Sequence, residues 1–313
     1  MRSAVALAGR GRGRTAPNPN VGCVVVRDGR VLGRGWTRPG GRPHAEAVAI
    51  EAAGDLSGAT LYVTLEPCAH VSTRGPACAD LIAAARPSRV VVALGDPDPR
   101  TDGRGIDRLR AAGIETVVGV EAEAARASMA GFLSRQAKGR PQVTLKLATS
   151  LDGRIALPDG SSRWITGPAA RAHAHLERAR HEMILVGRGT LEADAPRLDV
   201  RLAGLERHSP RRAVLGHGTA PDGWTALADP AAIATLAGVD HLFVEGGAGA
   251  AAAFLRADLV DRLLIYTAPI VIGAGRAAIG DIGLADLADA HGRWRLVDTR
   301  TLGIDHLSVY QRI

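Results

Sequence analysis

The sequence predicts a two-domain α/β protein, and two observations support this fold class. Short β-branched, apolar runs alternate with Ala-rich runs of helical length along the whole chain, which is typical of βα units. A stretch with Gly and Pro at residues 138–141 interrupts this alternation and indicates a domain boundary. We therefore expect one domain over residues 1–140 and a second over residues 141–313, a chain long enough for two sizeable cores.

The predicted elements alternate in both halves. Asp28-Gly29 is a hairpin signal between the first two strands. In the first half we expect helices at residues 1–8, 45–53, 77–85, 106–112 and 121–137, and strands at 23–27, 31–36, 60–65, 89–94 and 114–118. In the second half we expect strands at 142–148, 183–186, 241–244, 263–268 and 307–311, an apolar edge at 270–272, and a helix from 168 to about 181. Gly187-Arg188-Gly189-Thr190 is expected to close the strand at 183–186.

Composition limits the classes of partner. The net charge of +7 would suit nucleic acid, but the arginines are scattered and aromatic residues make up only 3%, too few for base stacking. No apolar run reaches about 18 residues, so no membrane span is predicted. Three cysteines, two of them in a metal motif, favour a reducing cytoplasm without disulfides.

One motif in the first half has the spacing of a catalytic zinc site. His44, Cys68 and Cys78 supply three ligands, which leaves the fourth position of a tetrahedral zinc open for a water. Glu46 is not a ligand but follows His44 closely enough to take a proton from that water. Both ligand segments begin predicted helices, where thiolates are favoured. This arrangement is typical of zinc nucleobase deaminases.

Two other interpretations of the motif remain open at this point. Cys68 and Cys78 could be core thiols, since free cysteine is often buried as a small apolar residue. A structural zinc would require a fourth ligand, for which only Cys23 and His70 are available. The catalytic interpretation accounts for all four residues together.

The second half offers two further signals. Glu245-Gly246-Gly247-Ala248-Gly249 follows a predicted strand and precedes an Ala-rich helix, so it could bind a phosphate or be an ordinary tight turn. Lys146 lies among apolar residues of a strand in a chain with only one other lysine, Lys138. It could face solvent at a strand edge, or donate a proton to a substrate or cofactor.

Several motifs together identify the chain as a member of a known family. They are Pro17-Asn18-Pro19-Asn20-Val21-Gly22, Pro43-His44-Ala45-Glu46, Thr64-Leu65-Glu66-Pro67-Cys68, Lys146 to Arg154, Trp164-Ile165-Thr166 and Glu245-Gly246-Gly247. Over nearly its whole length the chain resembles the bifunctional riboflavin-biosynthesis deaminase/reductase. The resemblance implies a cytidine-deaminase-like α/β/α sandwich, followed by a dihydrofolate-reductase-like α/β domain. It implies zinc-dependent deamination of a diaminopyrimidinone ribosylamino 5′-phosphate, then NADPH-dependent reduction of the ribosyl chain to ribityl.

The resemblance also assigns roles by position. It implies that zinc binds His44, Cys68 and Cys78, and that the catalytic residues are Glu46, Lys146 and Glu245. The implied NADPH contacts are Ala148, Trp164, Thr190, Asp194, Gly247, Ala248, Gly249, Ala250, Ala251, Ala252 and Ala253. The implied substrate contacts are Ser162, Arg178, Leu198, Arg201 and Glu245. The expected partner is a small phosphorylated pyrimidine, with no nucleic acid and no membrane, in a homodimer formed through the terminal strands of the second domain.

Two departures from the family pattern leave alternatives open. Cys68 and Cys78 are separated by one residue more than the pattern usually has, a difference that a loop can absorb. Residues 211–240 form a shortened region, in which Val214-Leu215-Gly216-His217 replaces an expected Asp-Ser contact to the cofactor. A deaminase with a weakened or non-catalytic reductase-like domain is therefore the alternative, and a deaminase acting on polynucleotides is a more distant one.

Overall fold

The chain divides into two units, Met1–Gly139 and Arg140–Ile313, in a computed structural model. The structure describes residues 1–70 and 73–313. The loop between Cys68 and Cys78, where one extra residue was predicted, therefore lies partly outside the described residues. None of the helices in the described part combines the length and apolar character that a membrane span requires.

The first unit contains a mixed sheet in the order β2-β1-β3-β4-β5. Its strands are β1 (Gly22–Arg27), β2 (Arg30–Trp36), β3 (Thr60–Val63), β4 (Arg89–Val92) and β5 (Glu115–Val118). β1 is antiparallel to β2 and β3, whereas β3, β4 and β5 run parallel. The Asp28-Gly29 turn joins β1 to β2, as the hairpin signal predicted.

Helices cover both faces of this sheet. They are α1 (Arg2–Ala8), α2 (Ala45–Ala53), α3 (Cys78–Ala85), α4 (Arg104–Ala111), α5 (Ala122–Ser128) and α6 (Ala130–Lys138). Cys23 and Val25 of β1 belong to the same buried cluster as Ala45 of α2, while the intervening Val24 packs with Ala4 of α1. Alternate residues of one strand thus face opposite helical layers, which gives the α/β/α sandwich expected from the sequence.

Two glycines of β2 allow α2 to lie directly on the sheet. A Cβ at Gly33 would lie 2.2 Å from the carbonyl oxygen of Ala49, and one at Gly35 would lie 2.1 Å from that of Ala45. Any side chain at either position would push α2 away from the sheet. These contacts place the first turn of α2, and therefore the residues around His44, against the strands.

The single helix predicted at residues 121–137 is wrong, because the chain forms α5 and α6 with a break at Met129. The side-chain amide of Asn20 donates to the Ser128 carbonyl at 2.9 Å, and the Ser128 hydroxyl donates to Ala125. A carbonyl engaged by Asn20 is diverted from the next turn of the helix. The Ala-rich sequence carried no sign of this tertiary contact.

The second unit contains a larger sheet in the order β10-β9-β8-β11-β6-β12-β15-β14. Its strands are β6 (Gln142–Thr149), β8 (Met183–Gly187), β9 (Arg211–Leu215), β10 (Trp224–Leu227), β11 (His241–Val244), β12 (Arg262–Thr267), β14 (Trp294–Leu302) and β15 (Asp305–Arg312). The six strands from β10 to β12 are parallel, and β15 and β14 add antiparallel pairing at one edge. A separate pair joins β7 (Arg154–Ala156) to β13 (Arg276–Ala277).

Three helices in the described residues connect these strands: α7 (Pro168–Arg178), α8 (Arg188–Asp194) and α9 (Ala248–Arg256). Gly187 ends β8, as expected for the stretch that closes this strand, while the rest of that stretch, from Arg188 to Thr190, begins α8. The apolar edge predicted at 270–272 is also wrong, since no strand forms there and Val271 is 72% exposed. β9, β10 and β14 were not predicted, because their sequences are polar or short and lack a clear period of two.

Candidate functional site

The three predicted zinc ligands come from three different segments. His44 precedes α2 in an extended conformation, and Cys78 is the first residue of α3. Cys68 lies just after β3, where the backbone N–H of Ala79 donates to its carbonyl at 3.1 Å. A strand end and two helix starts therefore meet at one point, as expected for a site in an open α/β sheet.

The ligand atoms have the separation that a zinc ion requires. The Nδ1 atom of His44 lies 3.2 Å from the Cys78 sulfur and 3.7 Å from the Cys68 sulfur. All three ligand atoms lie within 4.8 Å of one another. Usual Zn–N and Zn–S bond lengths at tetrahedral angles give nitrogen–sulfur separations of about 3.5 Å. The side chains therefore fit a zinc ion without rearrangement.

The pKa values of these groups favour ligand chemistry at Cys68. Hydrogen bonds from the Cys78 thiol and backbone N–H, together with one from His44, lower the pKa of Cys68 to about 4 although burial opposes this. The bond to Cys68 and burial raise the pKa of Cys78 well above its usual value. The lowered pKa favours the thiolate form of Cys68, which is the form that binds metal.

Glu46 lies in the first turn of α2 and is buried, with 3% of its surface exposed. Burial raises the pKa of its carboxyl, while the nearby His44 lowers it in part. A carboxyl in such a position, two residues from a ligand, can hold and release a proton within the site. The metal-ligand group in the described residues does not include Glu46, in agreement with a role other than coordination.

Asn18 supports His44 from the other side, which the sequence did not reveal. Its Nδ2 atom lies 3.1 Å from Nε2 of His44 and donates to the Gly41 carbonyl at 3.1 Å. This contact orients the imidazole so that Nδ1 faces the two sulfur atoms. A second polar partner of this kind commonly fixes the ring of a metal-binding histidine.

Glu66 organises the segment beside the site, and sequence reasoning gave it no role. Its buried carboxylate accepts four backbone N–H groups: those of Asp96, Gly103, Gly105 and Ile106, at 2.9 to 3.2 Å. Gly105 can reach it because a Cβ there would lie 2.0 Å from the Pro67 carbonyl oxygen. An acidic residue at the end of a buried strand is the signal that could have predicted this.

The other two metal-ligand candidates lie elsewhere. Cys23 is fully buried in the core of the sheet, and burial raises the pKa of its thiol well above the usual value. His70 contacts the Thr101 hydroxyl at 3.5 Å and is absent from the ligand group found in the described residues. Neither supplies a fourth ligand, so the geometry favours the three-ligand site.

The second unit has a cavity of about 1100 Å³ at the carboxyl ends of its parallel strands. This volume is at the upper end of ligand pockets and suits two ligands together. Two carboxylates face it, those of Asp194 and Glu245. Eight lysine and arginine side chains line it besides His175, and these are Lys146, Arg163, Arg171, Arg178, Arg188, Arg197, Arg201 and Arg276. This excess of positive charge suits phosphorylated ligands.

Lys146, Glu245 and Arg178 form one ion-paired cluster in this cavity. The register of β6 and β11 brings Lys146 level with Glu245, and the Lys146 ammonium donates to the Glu245 carboxylate at 3.1 Å. Arg178, the last residue of α7, donates to the second carboxylate oxygen at 2.8 Å. Burial would raise the pKa of Glu245, but the two cations lower it to about 2. Glu245 is therefore ionised at neutral pH.

Most of the predicted reductase contacts line the cavity. These are Ala148, Ser162, Trp164, Arg178, Thr190, Asp194, Leu198, Arg201, Glu245, Gly247, Ala248, Gly249 and Ala250. Arg171 stacks 4.8 Å from the Trp164 ring, and the Thr190 hydroxyl accepts the Gly247 N–H at 3.1 Å. Ala251, Ala252 and Ala253 lie further along α9 and are outside this lining; Ala251 packs instead into the core of the unit.

In the shortened region, residues 211–240, β9 ends at the cavity wall. Leu215 and Gly216 line the wall, whereas Val214 is buried and His217 is exposed. Arg188, which the sequence did not single out, reaches across this loop and donates to the carbonyls of Gly218 and Thr219.

Fold and site together define a two-part enzyme, a zinc-dependent deaminase domain followed by a nucleotide-cofactor reductase domain. The profile for the cytidine and deoxycytidylate deaminase zinc-binding region matches residues 1–94, and that for the RibD C-terminal domain matches residues 141–307. The chain belongs to the RibD family of bifunctional deaminase/reductases of riboflavin biosynthesis. The deaminase half of this family binds zinc, and the reductase half uses NADPH.

Similarity to individual relatives extends over nearly the full length. Riboflavin biosynthesis protein RibD of Escherichia coli K12 is 37% identical, over 97% of this chain and 96% of the relative. The Mycobacterium tuberculosis H37Rv protein is 40% identical, over 95% and 91%. The structure of Acinetobacter baumannii RibD matches with a TM-score of 0.89 at 35% identity, over 100% and 98%. A Thermotoga maritima diaminohydroxyphosphoribosylaminopyrimidine deaminase/5-amino-6-(5-phosphoribosylamino)uracil reductase matches at 0.90 and 32%, over 100% and 97%.

Proposed function

We propose that residues 1–140 deaminate 2,5-diamino-6-ribosylamino-4(3H)-pyrimidinone 5′-phosphate. Residues 141–313 then reduce the ribosyl side chain of the product, which gives 5-amino-6-ribitylaminouracil 5′-phosphate. The observation that carries the proposal is the pairing, in one chain, of a His/Cys/Cys/Glu site with a basic cavity containing an ion-paired lysine. Deamination consumes a water and releases ammonia, and reduction adds a hydride and a proton.

In the first reaction, Glu46 is the proposed proton carrier. A zinc ion held by His44, Cys68 and Cys78 supplies Lewis-acid activation of water. The Glu46 carboxylate takes the proton that the attacking water loses and passes it to a ring nitrogen, then to the departing amine. Its position in the first turn of α2 is fixed by the close packing of that helix on β2. Asn18 contributes by holding the His44 ring.

Three substitutions separate proton transfer from metal binding. Glu46→Gln is expected to retain zinc, while its rate of ammonia release falls by about 100-fold or more, since positioned proton transfer contributes roughly 10²–10⁴ in rate. Cys68→Ala is expected to lose both. Cys23→Ala is the matched control and should lose neither, because that cysteine lies in the core. Ammonia release and zinc content by atomic absorption are the measurements, and a Glu46→Gln protein that deaminates normally would contradict the role.

In the second reaction, NADPH supplies the hydride. We assign its phosphates to the start of α9, where Gly247, Ala248 and Gly249 line the cavity and a helix N-terminus favours anions. The glycines leave room for this approach: a Cβ at Gly249 would meet nothing within 4 Å. The phosphorylated sugar is assigned to Arg178 and Arg201, which also line the cavity and whose guanidinium groups can bind a phosphate in bidentate fashion.

Lys146 is the proposed proton donor to the sugar. Hydride addition at the anomeric carbon breaks its bond to the ring oxygen, and that oxygen must gain a proton as the chain opens. The Lys146 ammonium can supply it. Glu245 is ionised, so in this proposal it holds Lys146 and Arg178 in place instead of donating a proton itself.

The chain offers its own control for this role because it contains only two lysines. Lys146→Met should reduce NADPH oxidation by about 100-fold or more, while Lys138→Met should leave it unchanged. A Lys146→Arg protein separates charge from proton donation, since an arginine retains the ion pair but gives up its proton far less readily. Normal turnover in Lys146→Met would refute the assignment.

A coupled assay tests the whole function and its alternative. The purified protein is given the phosphorylated diaminopyrimidinone with and without NADPH, and both ammonia release and NADPH oxidation are followed. Both signals are expected. Ammonia release without NADPH oxidation would favour a deaminase with a non-catalytic second domain, which the shortened 211–240 region motivates.

We also propose a homodimer formed through the edge of the second sheet, in a cytoplasmic protein. β14 is an edge strand, and Leu296, Val297 and the nearby Ile304 are 50%, 46% and 75% exposed. An exposed apolar edge of this kind is a common pairing surface. Val297→Arg should shift the sedimentation of the protein from dimer to monomer. The cytoplasm is proposed because Cys68 and Cys78 must stay reduced to bind metal.

A further inference from the structure

Arg188 occupies the far end of the reductase cavity from the reacting centre. Lys146 lies on β6, and the strands then follow in the order β11, β8 and β9. Arg188 follows β8, and Gly216 follows β9. Arg188 itself lies two strand spacings from Lys146, but its guanidinium donates to the loop after β9, which is three spacings or about 14 Å away, a length that an extended dinucleotide spans. If the nicotinamide lies near Lys146, as the proposed function requires, the adenosine lies near Arg188.

The loop after β9 is shaped around this arginine. A Cβ at Gly216 would lie 3.3 Å from Cβ of Arg188, and one at Gly218 would lie 3.6 Å from its guanidinium carbon. Both glycines have positive φ, 119° and 103°, a conformation that other residues rarely adopt. The shortened loop therefore wraps closely around the Arg188 side chain.

The hydrogen bonds of Arg188 orient it without neutralising its charge. Its guanidinium donates to the Thr219 carbonyl at 2.7 Å and to the Gly218 carbonyl at 3.2 Å. Its Nε is buried and has no partner in the described part of the chain. Arg178, by contrast, is paired with the carboxylate of Glu245. Arg188 thus presents an uncompensated charge and a spare donor at the cavity wall, an arrangement that suits an anion.

We propose that Arg188 binds the 2′-phosphate of the cofactor's adenosine and makes the reductase selective for NADPH over NADH. In this chain it takes the place of the Asp-Ser contact that the sequence lacks. An arginine beside the adenosine ribose is the usual means by which a protein accommodates this phosphate. The inference rests on the proposed reductase function and adds the residue that decides its cofactor preference.

The test compares two nucleotides that differ only in that phosphate. Calorimetry measures binding of adenosine 2′,5′-bisphosphate and of adenosine 5′-monophosphate to the full-length wild type, to Arg188→Gln and to Arg212→Gln. Glutamine keeps a donor for the loop carbonyls but removes the charge. Arg212 stacks on Trp224, lies outside the cavity lining and serves as the matched control.

Arg188→Gln is expected to weaken binding of adenosine 2′,5′-bisphosphate by about 10- to 100-fold and to leave the affinity for adenosine 5′-monophosphate unchanged. The NADPH-to-NADH ratio of kcat/KM should fall by a similar factor, and Arg212→Gln should match the wild type. Equal weakening of both nucleotides, or of neither, in a protein whose wild type oxidises NADPH would overturn this inference alone. A wild type that binds neither nucleotide and oxidises no NADPH would overturn the reductase proposal with it.

Discussion

Glu245→Gln tests whether the cluster in the reductase cavity is held together by charge. The Glu245 carboxylate accepts from Lys146 at 3.1 Å and from Arg178 at 2.8 Å, and its side chain is 16% exposed. Glutamine has nearly the same shape but no charge, so it leaves two cations beside one another without a counter-ion. Because both cations are mostly shielded from water, this should destabilise the second unit.

The size of the loss follows from the pKa. The two cations lower the pKa of Glu245 from 4.5 to about 2. A lowering of this size corresponds to about 3 kcal/mol of stabilisation at neutral pH. Because the folded pKa is the lower one, the stabilisation is complete above about pH 4.5 and disappears as the pH falls toward 2. Between pH 7 and pH 3.5 the difference between wild type and Glu245→Gln should shrink by about 1 kcal/mol.

Urea denaturation followed by tryptophan fluorescence is a suitable assay. Three of the four tryptophans, Trp164, Trp224 and Trp294, belong to the second unit, so the signal mainly reports its unfolding. The free energy of unfolding is compared at pH 7 and pH 3.5 for the wild type and the variant.

Asp258→Asn is the control because it has the same arrangement at the surface. Asp258 also pairs with two arginines, Arg293 at 3.2 Å and Arg312 at 2.8 Å, but its side chain is 59% exposed. Exposed pairs contribute about 0–1 kcal/mol. If Glu245→Gln loses no more stability than Asp258→Asn, or if its loss is the same at both pH values, the reasoning is refuted.

Three further predictions concern the first unit. Glu66→Gln turns an NH₂ group toward two of the four backbone donors and should destabilise the unit by about 2–4 kcal/mol. Hydrogen exchange should accelerate at one pair of amides, Asp96 with Gly103 or Gly105 with Ile106, and unchanged protection at all four would contradict this. Burial raises the pKa of Asp96 to about 6, so ionisation opposes folding as the pH rises from about 4 to 6. Asp96→Asn should therefore gain about 1–2 kcal/mol at pH 7 and nothing near pH 3.5 in urea denaturation, after allowance for solvent screening; a variant no more stable at pH 7 would count against this. Gly35→Ala should push α2 from the sheet and lower zinc content, measured by atomic absorption, and full zinc loading would show that α2 tolerates the shift.

Much of the zinc site could be predicted from the sequence because it depends on particular residue types and on the local signals beside them. Histidine, cysteine and glutamate seldom occur together beside turn and helix-start signals outside a metal site. His44, Cys68, Cys78 and Glu46 could therefore be identified from the sequence. The fold class followed from hydrophobic periodicity, which depends on neighbours two to four residues apart. The α/β alternation, the hairpin at Asp28 and the start of α2 were predicted for this reason.

The errors occurred where a distant side chain overrides local preference. The break at Met129 depends on Asn20, more than 100 residues earlier. The strands β9 and β10 were missed because pairing with a neighbouring strand, and not their own sequence, determines them: β9 pairs with β8, and β10 pairs with β9. The apolar run at 270–272 has the composition of a strand but forms none, and its Ile270 carbonyl accepts a single hydrogen bond from the Leu151 N–H instead.

The sequence by itself therefore determined the fold class and the residue types available for zinc chemistry, since both depend on periodicity and composition. Only the tertiary structure decided which groups hold those residues in place. The sequence assigned no role to Asn18 behind His44, to Glu66 beneath its four amides or to Arg188 in its glycine loop, although the first two lie in family motifs. Their importance depends on burial and on partners from distant segments, which only folding brings together.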